Sequence, residues 1–156
     1  PYNATPLDIE NLRPDGIIIS NGPGQPDEIL KAIKPALDHF YQKCPILAIG
    51  LGFLALSDYL KLELVNLPQE FDGINYPVIE QNSNTIWQTA MDINQLVLPD
   101  SVQLNMNQEF FDLHTELLAG FTMEKEKVIA TAFNPEGAPG SLDAIGIFDH
   151  FLKMME

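Results

Sequence analysis

The stretch Cys44-Pro45-Ile46-Leu47-Ala48-Ile49-Gly50-Leu51-Gly52-Phe53 decides how this chain is to be read. A short apolar run bounded by proline and glycine fits a strand buried on both faces. The residues after it favour a helix, so the segment reads as strand, sharp turn and helix. That is the outline of a nucleophile elbow, in which a reactive side chain stands at the apex of the turn. Here the apex is Gly50, which has no side chain to attack anything. The frame of an active site is present and its reagent is missing.

Working outward, Arg13-Pro14-Asp15-Gly16 forms a turn ahead of Ile17-Ile18-Ile19-Ser20, a β-branched run expected to be a buried strand. Asn21-Gly22-Pro23-Gly24-Gln25-Pro26 is loop chemistry, and Asp27 helps start the helix that follows. Between Glu28 and Tyr41 the apolar residues Ile29, Leu30, Ile33, Ala36, Leu37 and Phe40 recur at helical spacing, with Pro35 expected to bend or interrupt the helix. A second helix is expected from about Leu51 to Leu60. Strand, helix, strand, helix is the pattern of a parallel α/β sheet. From Leu62 to Asn107 the character changes, and Leu62–Val65, Thr85–Thr89 and Val102–Met106 read as antiparallel or mixed strands. Val128–Phe133 is a further strand, Asn134–Gly140 a loop, and Asp143–Met155 an amphipathic closing helix. No repeat or interdomain linker interrupts residues 1–156, which read as one domain.

Composition narrows the function. With 156 residues, 46% of them hydrophobic, the chain can bury a substantial core. Its 22 acidic residues against 8 basic ones give a net charge of −14, which would repel nucleic acid and anionic membranes. The single cysteine, Cys44, excludes an internal disulfide and suits a reducing, cytoplasmic setting. No apolar run approaches the roughly 18–20 residues needed to cross a bilayer. The chain opens on Pro1 and is expected to be part of something longer.

Several stretches fall in the order of one family: Pro1-Tyr-Asn-Ala-Thr5, Pro14-Asp-Gly-Ile17, Ser20-Asn-Gly-Pro-Gly-Gln-Pro26, Ile46–Gly52, Gly73-Ile-Asn-Tyr-Pro-Val78, Pro135-Glu136, Ala138-Pro-Gly140 and Phe148-Asp-His-Phe151. On these the chain resembles the class I glutamine amidotransferase domain of the carbamoyl-phosphate synthetase small subunit. The resemblance implies a flavodoxin-like α/β fold, with a central, mostly parallel sheet flanked by helices and a small antiparallel or mixed portion. It also implies glutamine hydrolysis without metal or organic cofactor, ammonia transfer to a large synthetase subunit, and a role in pyrimidine or arginine biosynthesis. In the family a strand and helix, and a separate domain before them, precede the segment that resembles Pro1–Thr5; the chain is expected to lack them.

Position by position, the chemistry is depleted. The family's cysteine nucleophile falls on Gly50, and the His and Gln that follow it fall on Phe53 and Leu54. The family's His-Pro-Glu falls on Asn134-Pro135-Glu136, so the base is replaced while its orienting acid stays. A stretch that helps hold substrate falls on about Ala90–Asn94. Gly22, Gly24 and the N–H of Leu51 match the oxyanion-holding groups. Covalent catalysis needs a nucleophile and a base within reach, and asparagine cannot take a proton near neutral pH. Cys44 reads as an incidental loop cysteine. Ser20 and Ser57 lack a basic partner, and His39, His114 and His150 read as surface or structural. The expected function is therefore a catalytically silent domain acting structurally or in regulation with a large subunit. The alternatives are a rearranged glutaminase and a small-metabolite binding module lined by Asn134, Glu136 and the Gly22–Gly24 loop.

Overall fold

The computed structural model describes residues 3–156. Pro1 and Tyr2, part of the first quoted stretch, lie outside the described residues. Thr5 opens helix α1 (Pro6–Leu12) through a reciprocal capping box. Its hydroxyl accepts the Asp8 N–H at 3.2 Å, while the Asp8 carboxylate accepts the Thr5 N–H at 2.9 Å. The chain then passes through β1 (Ile17–Ile19), α2 (Pro26–Phe40), β2 (Ile46–Ile49) and α3 (Leu51–Tyr59). Strands β3 (Leu64–Glu80), β4 (Thr85–Val97), β5 (Asn107–Asp112), β6 (Leu118–Met123) and β7 (Val128–Thr131) follow, and α4 (Gly146–Met155) closes the chain.

All seven strands share one sheet, but it is not mostly parallel as expected. Among the described residues only β1–β2 and β2–β7 pair in parallel; every other pairing is antiparallel. Strand β6 pairs with β7, β4 and β5, and β3 pairs with β4 and β5, so β3–β6 close into a small barrel beside the parallel portion. The physical reason lies in the connections. A parallel pair needs a crossover of a dozen or more residues, whereas β3 to β7 are joined by short turns such as 81–84 and 124–127. The helices therefore serve only β1, β2 and β7.

Several local readings are corrected. The run Val102–Met106 is not a strand: the Met106 N–H donates to the Gln103 carbonyl in a turn and Leu104 is fully exposed. Strand β6, unread in the sequence, is buried at every residue. Helix α2 runs unbroken through Pro35, because that proline sits on the exposed face, where water solvates the carbonyl left without a donor. Strand β1 is not buried. Among the described residues it pairs on one side only, and Ile18 is 52% exposed. Strands β2 and β7 are buried throughout, as fits strands covered on both faces. The core between sheet and helices holds Phe53, Leu54 and Leu56 of α3 against Phe121 and Phe133.

One carboxylate of the barrel strands is half-buried. Glu109 of β5 accepts the Thr122 hydroxyl at 2.7 Å, yet burial outweighs this and pushes its carboxyl above the ordinary range. A folded value above the unfolded one means that the fold holds more protons between the two values. This contribution to stability is present in acid and lost as pH rises. Glu109→Gln keeps the acceptor oxygen, so it is expected to stabilise the protein near neutrality. In urea titrations the gain should vanish below the normal carboxylate range; a gain unchanged by acid would refute the role of burial.

Candidate functional site

The parallel strands β1, β2 and β7 end at Ile19, Ile49 and Thr131, and the loops leaving these ends meet at Gly50. In open α/β sheets this is the side on which ligands bind. The turn is sharp. Gly50 has φ 56° and ψ −115°, its N–H donates to the Thr131 carbonyl at 2.8 Å, and its carbonyl accepts the first helical bond from Leu54. A side chain at these angles would be strained; glycine is not. The elbow read from residues 44–53 is present.

A second glycine fixes the helix above the sheet. A Cβ on Gly52 would lie 2.2 Å from the Ile19 carbonyl oxygen, so α3 can sit this close to β1 only with glycine there. Phe53, the next residue, is fully buried with its ring 5.9 Å from that of Phe121. Leu54 is buried too. Positions 53 and 54 therefore belong to the core.

The apex is not vacant space. The side chain of Asn21 lies across it, its Oδ1 accepting the Leu51 N–H at 3.0 Å. A Cβ added to Gly50 would meet Asn21 Cγ and Oδ1 at 2.5 Å. The Leu51 N–H, read from sequence as an oxyanion donor, is thus already committed to a carboxamide of the chain itself. Gly24, at φ 130°, brings its loop to the Leu51 side chain, whereas Gly22 is exposed with no atom near a prospective Cβ. The sequence reading missed Asn21. Its only signal was a small amide side chain in a glycine-rich loop directly after a strand.

Asn134 is held in an isolated antiparallel bridge to Ala90, its N–H donating to the Ala90 carbonyl at 2.8 Å. Thr131 tightens the approach by donating its hydroxyl to the Phe133 carbonyl. Ala90 thus sits beside Asn134. Met91 and Ile93, however, are buried core residues of β4, so the stretch 90–94 as a whole does not line a site. Glu136 follows a buried proline and is itself exposed.

The remaining candidates lie elsewhere. Cys44 is buried at the opposite end of β2, its thiol 3.7 Å from the Pro14 carbonyl, and burial pushes its pKa up. A thiol raised in this way is a poor nucleophile. Ser57 is fully buried with no hydrogen-bond partner for its hydroxyl among the described residues. His39 and His150 lie beside Glu10 and Glu124. The described residues include no cluster of His, Cys, Asp and Glu suited to a metal ion. A cleft of about 890 Å³ leads from the Asn21 loop along the free edge of β1, between α1 and α2. Its walls are mainly apolar, with Ile9, Leu12, Ile18, Ile29 and Ile33 prominent.

The family model for class I glutamine amidotransferases matches residues 1–154. The chain belongs to that family. Within it, a carbamoyl phosphate synthase small chain of Pyrococcus furiosus is 33% identical over 144 residues, covering 91% of this chain and 38% of the relative. The Maricaulis maris small chain is 31% identical over 97% of this chain and 39% of its own length. An arginine-specific small chain of Bacillus subtilis is 30% identical over 93% of this chain and 41% of that protein. The chain therefore spans about two fifths of the curated relatives it matches, and corresponds to their amidotransferase domain. A Thermoplasma acidophilum structure described as a GMP synthase component superposes with a TM-score of 0.82 at 18% identity, covering 99% of this chain and 78% of that one. A Thermotoga maritima glutamine amidotransferase superposes less closely, at 0.61 over 87% of this chain and 62% of the other. Both support the amidotransferase fold.

Proposed function

We propose that this amidotransferase domain of the carbamoyl phosphate synthase small-chain type no longer hydrolyses glutamine. It acts structurally or in regulation beside a synthetase large subunit. The observation that carries the proposal is the pairing of Gly50 with Asn21: the apex bears no nucleophile, and the adjacent helix N–H is taken by the protein's own amide. Asn134 in place of a base removes the second requirement of covalent amide hydrolysis. A complex built on this domain would draw nitrogen from free ammonia or another source, in the cytoplasm and without a cofactor in this domain. The rearranged-glutaminase reading finds no support in Cys44, which lies at the wrong end of β2. The metabolite-binding reading is weakened by the occupied Leu51 N–H; the cleft beside the Gly22–Gly24 loop is mainly apolar, so the charged ends of an amino acid would be poorly solvated there, and neither Asn134 nor Glu136 lines it.

Purified protein assayed for ammonia release from glutamine is expected to give the rate of the enzyme-free blank. Turnover that is abolished by alkylating Cys44 would overturn the proposal. Partnership is tested by co-purifying the full-length protein from its native source: recovery of a synthetase-type large subunit is expected, and its absence would reject the assembly role.

A further inference from the structure

We propose that Asn21 is a self-modification site, at which the backbone nitrogen of Gly22 attacks the docked carboxamide and expels ammonia. The electron pair of the Gly22 nitrogen forms a bond to Asn21 Cγ, and the Gly22 amide proton passes to water. The Cγ–Nδ2 bond then breaks, Nδ2 takes up a proton, and ammonia leaves a five-membered succinimide. Water adds to either carbonyl of that ring. The products are aspartate at position 21 or its isomer, in which the main chain runs through the side-chain carboxyl. No oxidant or reductant is needed.

Four observations single out this site. Asn21 Oδ1 receives the Leu51 N–H at 3.0 Å, from the first turn of a nine-residue helix, so a fixed donor faces the oxygen on which negative charge grows. Gly22 is exposed, its prospective Cβ meets nothing beyond its chain neighbours, and its N–H donates to no protein acceptor among the described residues, which leaves the nitrogen unengaged and water free to enter. Asn21-Gly22 is the only Asn-Gly pair in the chain. The aspartate formed would place a carboxylate at a helix N-terminus, where negative charge is favoured.

The hairpin turn after β3 provides an internal contrast. There Asn82 precedes Ser83, but the Ser83 N–H is held by the Glu80 carboxylate at 2.8 Å, so this nitrogen is not free to attack. Fold geometry thus adds to the difference that sequence already makes between Asn-Gly and Asn-Ser.

The test is peptide mapping by mass spectrometry, with isoaspartate detection, on protein incubated in mildly alkaline buffer, native or unfolded in guanidinium. Native protein is expected to convert Asn21 several-fold faster than unfolded protein, with Asn82 lagging behind. Gly22→Ala, which meets open space, should slow conversion strongly in both states. Gly50→Ala displaces the Asn21 side chain and should bring the native rate down to the unfolded one. Leu51→Pro should do likewise, since it removes the donor N–H at a helix position that tolerates proline, although it also trims a buried side chain. A native rate at or below the unfolded rate overturns the proposal, as does a native rate unchanged in either folded variant. Because the native-versus-unfolded comparison uses the unaltered chain, the proposal stays testable if both variants fail to fold.

Discussion

Replacing Gly50 with alanine is expected to destabilise the domain by about 2–5 kcal/mol, although a single methyl is added. Two costs combine. An L-residue held at φ 56° and ψ −115° is strained by about 1–3 kcal/mol. The new Cβ also collides with the Asn21 carboxamide and drives it off the Leu51 N–H. Stranding a buried donor costs a further ~1–3 kcal/mol, less whatever water recovers. The two costs can be separated. In an Asn21→Gly background the collision is absent, so the same substitution should cost only the backbone strain. Urea denaturation of the four proteins in this cycle measures the coupling. Equal costs in both backgrounds would mean that Asn21 does not interlock with the apex, and no cost at all would refute the strain.

The second large effect is at Phe53. Truncation to alanine removes a fully buried ring that packs on Phe121, at about 3–5 kcal/mol. Phe53→His is the more informative change, because it introduces the ring type that the resemblance assigns to this position. In an apolar site an imidazole without a partner resists protonation, so its folded pKa falls below the unfolded value of about 6.5. The unfolded chain then binds more protons, and stability rises with pH. The histidine variant should therefore lose most against the parent below pH ~6 and recover part of the loss above it. A pH-independent difference in melting temperature would show that the imidazole finds a partner, and that position 53 still borders a polar pocket.

The elbow was legible because everything that defines it is local. A strand of Ile46–Ile49, a glycine at the apex and a helix after it are contiguous, and Gly50 announces a positive φ by its identity. The capping box of Thr5 and Asp8 was equally local and could have revealed α1. Strand β6 was hidden by Ala119 and Gly120, small residues that weaken a strand signal, and its identity rests on pairing with β4, β5 and β7. The sheet's antiparallel majority could have been read from the short turns, but the flavodoxin-like expectation favoured crossovers. Asn21 lay beyond local reading altogether. Its partner is Leu51, 30 residues away, and only the parallel pairing of β1 with β2 brings the loops after them together.

Gly52 against the Ile19 carbonyl has a wider meaning. Main chain rests directly on main chain there, so the bend is aligned by atoms that every amino acid shares and by the absence of one carbon. Pocket side chains contribute little to that alignment. Such a bend can outlive its own chemistry, since exchanging the reagents around it leaves the hinge pin of the architecture untouched.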